Sequence, residues 1–179
     1  MTWLILTFPI LLQNTWLGQG RCFDLTEKVL IHIRVEVESI EFLLAEYESV
    51  LQEFLSPVPS KAGDLAVAAI LHSFYGGLEN IFQRIAKKID NQMPSGEQWH
   101  TDLLRQMVVA TEKRPRLLSE ATSALLKEYL LFRHFFRHNY MFVLEHEKLD
   151  DLVRPLPDVW EKTKSDIEEF LQAIESAKE

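Results

Sequence analysis

The sequence predicts an all-α fold, a single-domain up-and-down bundle of about five helices, and three observations carry that expectation. After Pro9 the prolines fall at Pro57 and Pro59, Pro94, Pro115, and Pro155 and Pro157, each a place where a helix is expected to stop or start. Between them, apolar residues recur at alternating steps of three and four, which is the spacing of a buried helical face. No hairpin signal and no alternation of strand and helix patterns occurs anywhere along the 179 residues.

The first segment carries Leu30, Ile33, Val37, Ile40, Leu44, Tyr47, Leu51 and Phe54 in one unbroken helical register. A competing signal lies inside it, because Ile31, Ile33, Val35 and Val37 alternate with polar residues as a half-buried strand would. The helical register runs on to Phe54 and the alternation does not, so one long helix is expected. The second segment, about 64–90, repeats the pattern at Leu71, Phe74, Leu78, Ile81, Ile85 and Ile89. Gly76 and Gly77 interrupt it, each costing up to about 1 kcal/mol relative to Ala in a helix interior, so the close approach of a neighbouring helix, or else of a ligand, is expected there, with a helix crossing the preferred reason. Ser95 followed by Gln98 fits a capping box opening a third helix through Trp99, Leu103, Leu104, Met107 and Val108. A fourth helix is expected from near Ser119. A fifth begins near Asp158, with Trp160, Ile167, Phe170 and Ile174 on its apolar face.

Composition narrows the function. With 47% apolar residues the chain is long enough to bury its own core. One cysteine, Cys22, excludes a disulfide framework and a cysteine-based zinc site. Nineteen basic against 27 acidic residues give a net charge of −8, which argues against coating nucleic acid by charge alone while leaving room for a local basic patch. Residues 1–22 read as an N-terminal extension to a domain of residues 23–179. Met1 to Gly20 holds no charged residue, and its apolar run, Trp3 to Leu12, is too short for the roughly 20 residues of a membrane span. A secretory signal would explain the run, but the first basic residue is Arg21, so the basic start of such a signal is missing. The expectation is therefore a cytoplasmic protein with no membrane partner, its first residues a tail or an extension from a misplaced start.

The fourth helix concentrates the chemistry. From Tyr129 to Leu144 the chain reads YLLFRHFFRHNYMFVL, apolar around nearly its whole circumference and without an acid, so it is expected to be buried in the bundle or at a subunit interface. Arg133, His134, Arg137 and His138 lie inside it. Burying an unpaired guanidinium costs several kcal/mol, so these cations must meet carboxylates of another helix, such as Glu36 or Glu41, or line a cleft that an anion completes. On an ideal helix Arg133 and Tyr140 project within about 20° of each other, and His138 lies about 140° around from Arg133. Arg133 and His138 converge only if the helix ends or distorts, if a cleft wraps its edge, or if a dimer supplies one from each chain. His134 and His138 stand four apart, as metal ligands can, but no carboxylate or cysteine falls at a supporting offset, and neither a metal nor a cofactor is expected. His32, His72, His100 and His146 are scattered and receive no role. The chain contains no GxSxG, P-loop, GxGxxG or HExxH motif.

Arg133, His138 and Tyr140 form the arrangement R-x4-H-x-Y, and this resembles the signature of the HepT family of ribonuclease toxins, which are HEPN domains. The stretches LHSFYGGLENIFQRIAKKID, residues 71–90, and PSGEQWHTDLL, residues 94–104, are also similar to members of that family. The resemblance covers about residues 25–171.

The resemblance implies a metal-independent endoribonuclease, assembled as a homodimer through helices near the motif, that cuts RNA in a cleft made by two subunits. By similarity, Arg133 would hold the scissile phosphate and His138 would act as general acid or base. The neighbouring ribose 2′-hydroxyl would attack, leaving a 2′,3′-cyclic phosphate and sparing DNA. The partner implied is an MNT-type nucleotidyltransferase antitoxin, which would add AMP to Tyr140 and so silence the enzyme. Arg137 and His134, beside the motif, are further candidate RNA contacts. The alternative is an inactive HEPN-type module that binds a nucleotide or the partner transferase.

Overall fold

A computed structural model describes residues 25–56, 60–138 and 144–177 of the chain. Among them it contains seven α-helices: α1 (Leu25–Glu46), α2 (Glu48–Phe54), α3 (Lys61–Ile85), α4 (Trp99–Val108), α5 (Glu120–His138), α6 (His146–Val153) and α7 (Leu156–Ser176). The all-α expectation holds. The only β pairing among the described residues is an isolated bridge between Thr111 and Arg114 in the α4–α5 connection. The N-terminal extension, residues 1–22, lies outside the described residues.

The first predicted helix is real but bent. Tyr47 leaves the helical region at φ −104°, ψ 14° and separates α1 from α2. Its N–H still donates to Leu43 O at 3.2 Å and its carbonyl accepts from Leu51 N at 3.1 Å, so the break is a kink in a continuing path. The strand-like alternation dissolves in the helix: Ile33 is fully buried, whereas Ile31 and Val35 are 44% and 52% exposed.

The central element is α3, which packs against α1, α2, α4, α5 and α6. Ser60 caps it, its Oγ accepting from Gly63 N at 2.9 Å. At its other end the helix widens into a π-helical turn, Ala86–Asp90, and Asn91 stops it in the left-handed conformation at φ 56°. Val67, Leu71, Phe74, Leu78, Ile81 and Ile85 are all buried along one stripe, together with Tyr75 and Phe82 beside it. By length and composition, α3 with its π turn is the one helix among the described residues apolar enough to cross a membrane, and 61% of its apolar stretch is buried in the bundle.

The two glycines of α3 have different reasons to be there. A methyl at Gly77 would come within 2.8 Å of Ile40 Cγ1 and 3.0 Å of its Cδ1, so Gly77 is where α1 crosses α3. A methyl at Gly76 meets nothing within 4 Å. The expected close approach therefore falls on one glycine of the pair.

Two local expectations need correction. The capping box at Ser95 and Gln98 does not form: Gln98 stands at the N-cap of α4 with no side-chain cap bond, and Gly96 at φ 90° turns the chain into the helix. The fourth predicted helix, α5, is not buried all round. Leu126, Tyr129 and Leu130 face the core, whereas Leu131 is 52% exposed and Leu125 is also exposed. The most extensively buried helix is α3 instead, although it too keeps an exposed face at Leu65, Ala69, Ser73 and Asn80. At its start α5 behaves as expected, with Ser119 Oγ accepting from Thr122 N at 3.2 Å.

Helix α6 is too short to announce itself in the sequence. Tyr129 Oη donates to Leu152 O at 2.8 Å and ties it to α5, and the His146 ring lies 4.3 Å from that of Phe54. In α7, Trp160, Ile167, Phe170 and Ile174 are buried as expected. Its polar face is joined to α1 by Arg34 with Glu175 at 2.8 Å and by Lys164 with Glu41, so the two helices run antiparallel.

The glycine contrast gives a direct test. Gly77→Ala is expected to destabilise the protein by about 1–3 kcal/mol, because Ile40 is buried and cannot move aside freely. Gly76→Ala is expected to stabilise it by about 0.5–1 kcal/mol through the lost flexibility of the unfolded chain. Thermal or urea unfolding of the two variants side by side checks the opposite signs.

Candidate functional site

Helix periodicity decides where the cations of α5 point. Leu126, Leu130, Arg133 and Arg137 are spaced four, three and four apart, so they share one stripe, and that stripe faces α3. Arg133 therefore continues a buried apolar row. Its side chain is only 13% exposed and its Nη2 donates to Glu79 Oε1 at 2.9 Å. The carboxylate that neutralises it belongs to α3, and neither Glu36 nor Glu41 is the partner: Glu36 accepts from Asn80 Nδ2 at 3.2 Å, and Glu41 pairs with Lys164.

Glu79 occupies the buried face of α3 between Tyr75 and Phe82. It is itself buried, with three donors around it. Arg133 and Gln83 Nε2, the latter at 3.3 Å, reach Oε1, and His100 Nδ1 of α4 reaches Oε2 at 2.6 Å. The His100 ring stacks on Trp99 with centroids 3.5 Å apart. Burial, followed by the nearby Glu79 charge, pushes the Tyr75 phenol well above its ordinary pKa, with Arg133 opposing, so Tyr75 stays neutral.

One turn beyond Arg133, the exposed Arg137 reaches the end of the stripe, where α3 contributes His72. The His72 ring packs on Phe136 with centroids 5.2 Å apart. Burial first, then the charges of Arg133 and Arg137, hold its pKa below the ordinary value, while Glu79 pulls the other way. The histidine is therefore kept neutral between two cations and a carboxylate.

His134 and His138 lie on an adjacent line of α5, stacked with centroids 4.3 Å apart and both exposed. His138 Nδ1 is 2.8 Å from His134 O. A carbonyl only accepts, so Nδ1 carries the proton and Nε2 keeps the lone pair. Arg137 and His138 occupy the last turn of α5, where the guanidinium of Arg137 offsets the negative end of the helix dipole. No hydrogen bond or ring contact joins Arg133 to His138: one binds Glu79 and the other its own helix. Tyr140 lies outside the described residues. Among those residues no group of three or more His, Cys, Asp or Glu is arranged to hold a metal.

A fully buried arginine elsewhere in the fold shows what is unusual about Arg133. Arg114 donates through Nε and Nη2 to the two oxygens of Asp90 at 2.7 and 2.8 Å, through Nη1 to Val109 O and Pro115 O, and again through Nη2 to Gln106 O. Its fork is saturated, and it pins the end of the π turn to the α4–α5 connection. Arg133, by contrast, has Glu79 as its one hydrogen-bond partner among the described residues, and its buried Nε has none. The sequence reading gave no role to Glu79, His72 or His100. The available signal was a carboxylate at a core position, since Tyr75, Glu79 and Phe82 follow helical spacing along an apolar face.

A pH dependence follows from His72. Its folded pKa is depressed, so between that value and the ordinary one of about 6.5 the unfolded chain binds more protons. Its stabilising contribution is full above pH 6.5 and is lost as pH falls through that window, damped by solvent because the ring is half-exposed. His72→Gln is expected to flatten the fall in melting temperature between about pH 6.5 and 5, measured against the wild type in matched buffers.

A model of the family described as HepT-like protein matches residues 66–174. No curated protein matches the chain, and no solved structure does. The matched span takes in most of α3, all of α4, α5 and α6, and nearly all of α7, well over half of the sequence, and the chain belongs to the HepT-like protein family.

Proposed function

We propose that this protein is a metal-independent RNA endonuclease, the toxin of a HepT/MNT-type pair, acting in the cytoplasm as a homodimer. The observation that carries the reading is the R-x4-H-x-Y motif, whose Arg133 and His138 lie on α5, Arg133 paired with Glu79 and His138 exposed with no partner for Nε2 among the described residues. Further support comes from the unsaturated guanidinium of Arg133, and from a segment, 129–144, that carries four basic or imidazole side chains and no acid in a chain of net charge −8.

The chemistry needs a proton acceptor, a charge stabiliser and an internal nucleophile. His138 Nε2 takes the proton of a ribose 2′-hydroxyl, whose oxygen forms a bond to the adjacent phosphorus. The bond from phosphorus to the 5′-oxygen breaks, that oxygen leaves with a proton taken from solvent, and a 2′,3′-cyclic phosphate remains; His138 then returns its proton to solvent. Arg133 binds the non-bridging oxygens, where charge builds in the transition state. Arg137 and His134 are candidate contacts to flanking phosphates. Tyr140 is the proposed acceptor of AMP from an MNT-type partner, whose added negative charge repels the RNA backbone.

The exposed Leu125 and Leu131 on the motif helix support pairing of two copies along α5. They border an apolar groove of about 550 Å³ that also takes in Phe132, Phe135 and Leu149. Leu131→Asp is expected to shift the protein from dimer to monomer in sedimentation velocity and to lower RNA cleavage with it.

A second reading, a HEPN-type module that binds without cutting, is favoured by one feature: Arg133 is nearly buried and already paired with Glu79. Incubation of RNA with purified protein in EDTA separates the two. Wild type is expected to cut and to leave cyclic phosphate ends, and His138→Ala is expected to keep the fold and lose about a hundredfold or more of the rate. Absence of cleavage across a range of RNAs, with Tyr140 shown to be unmodified, would establish the binding module.

A further inference from the structure

We propose that the gap at Gly76, between His72 of α3 and Arg137 of α5, is a phosphodiester subsite that holds the backbone of a single-stranded RNA beside the scissile bond. This inference rests on the nuclease reading and deepens it by adding residues of α3 that lie outside the motif.

The geometry comes first. Helices α3 and α5 run antiparallel, since Glu79 meets Arg133 while His72, seven residues earlier, meets Phe136. On α3, His72, Gly76 and Glu79 are spaced four and three apart and so share one line. On α5, Arg133 and Arg137 share another. A methyl at Gly76 would meet no atom of the described residues within 4 Å, and the glycine is partly exposed, so a gap opens to solvent there. Gly77 has its reason in the crossing of Ile40, and packing gives Gly76 none. A glycine inside a helix, left with room beside it, lets a ligand lie against the helix backbone. Arg133 and Arg137 stand about 6 Å apart along the axis of α5, about the step from one phosphate to the next in an extended strand.

The charges around the gap are unequal. At one end Arg133 meets the buried carboxylate of Glu79. At the other, Arg137 is exposed and makes no hydrogen bond or ion pair among the described residues. The half-buried His72 ring packs on Phe136 and likewise makes no hydrogen bond among them. The charged groups acting on His72 are Arg133 and Arg137 of α5 and Glu79 of its own helix. Two cations thus face one carboxylate, and a phosphate between His72 and Arg137 completes the balance with charge-assisted hydrogen bonds.

Proton uptake follows. In the free protein His72 is kept neutral, by burial first and then by the two arginines. A phosphodiester beside the ring brings a negative charge, which favours the imidazolium and raises the pKa. Binding therefore takes up a proton at His72, and affinity rises as pH falls from the bound-state pKa toward the lower free-state one.

The test uses the full chain and a single-stranded 2′-O-methyl RNA oligomer, whose blocked 2′-oxygen cannot attack. Affinity is read by fluorescence anisotropy near pH 8 and near pH 6, on either side of the ordinary histidine pKa, with a thermal melt of each variant. His72→Gln keeps a donor without the charge, and is expected to bind like wild type near pH 8 and about fivefold more weakly near pH 6. Arg137→Ala is expected to bind about tenfold more weakly at both and to lower the salt slope by about 0.7. Gly76→Leu is expected to melt no lower than wild type and to lose most of the affinity, because its side chain fills the gap. Wild-type affinity in Gly76→Leu, or in His72→Gln near pH 6, overturns the proposal. If His72→Gln does not fold, the wild-type imidazole decides: its NMR titration midpoint is expected about one pH unit higher with the oligomer bound, and an unchanged midpoint overturns the proposal. Inorganic phosphate that moves the midpoint as far as the oligomer does would mark a free-anion site and overturn the RNA assignment. Because the oligomer cannot be cut, the two readings fail separately. Absence of RNA cleavage in EDTA removes the nuclease while these binding results still judge the subsite, and a wild type that does not bind the oligomer overturns the subsite whether or not RNA is cut.

Discussion

A carboxylate buried between Tyr75 and Phe82 has no water to balance its charge, and the way Glu79 meets that demand constrains three helices at once. Apolar packing is non-directional, and helices held by it alone can slide along one another with little change in buried area. The hydrogen bonds of Glu79 cannot slide. His100 fixes the height of α4 on α3, Arg133 fixes the height of α5, and Gln83 orients the carboxylate from one turn away. On the other side of α3 the missing side chain of Gly77 does the same for α1, because only there can Ile40 come so close. With α3 in register against its neighbours, the remaining helices add apolar area to a frame already set.

The same chain disposes of the buried Arg114 and the largely covered Arg133 in different ways, and the difference follows from where they lie. Arg114 sits in a connection between helices, surrounded by backbone carbonyls that end α4 and turn toward Pro115, so every donor finds an acceptor. Arg133 sits inside a helix, where neighbouring carbonyls are occupied by the helix itself. The acceptors it can use must come from other side chains, and α3 supplies one carboxylate. An arginine in mid-helix whose buried Nε has no partner among the described residues is an expensive residue for a core.

What the sequence made legible was periodic, and what it hid was directional. The apolar rows of α1, α3 and α7 could be read because burial repeats every three or four residues, and Trp160, Ile167, Phe170 and Ile174 fell inside as expected. The kink at Tyr47 was not legible, since the chain bends there without a glycine or proline and keeps its hydrogen bonds on either side. Nor was α6, whose eight residues fall below the length at which a pattern declares itself. At the site, the motif marked Arg133 and His138, but a motif names residues on one helix only. Glu79, His72 and His100 join it from two other helices, and their contribution depends on packing angles that no spacing along the chain encodes.

Along α5 the environment changes from one end to the other, and the proposed chemistry uses that change. Leu126 and Leu130 lock the helix into the core, Arg133 follows them on the same stripe into contact with Glu79, and Arg137 and His138 emerge at the exposed last turn. Under the nuclease reading, the group that must not move is the one that stabilises charge, and it lies where the helix is held on two sides. The group that must exchange protons with water and substrate is His138, and it lies where solvent reaches it. The acidic balance of the remaining surface fits this arrangement. Under that reading, an RNA strand repelled by most of the protein would be drawn to the end of α5, where Arg137 lies beside His134 and His138, so the overall charge of −8 would disfavour unproductive binding elsewhere.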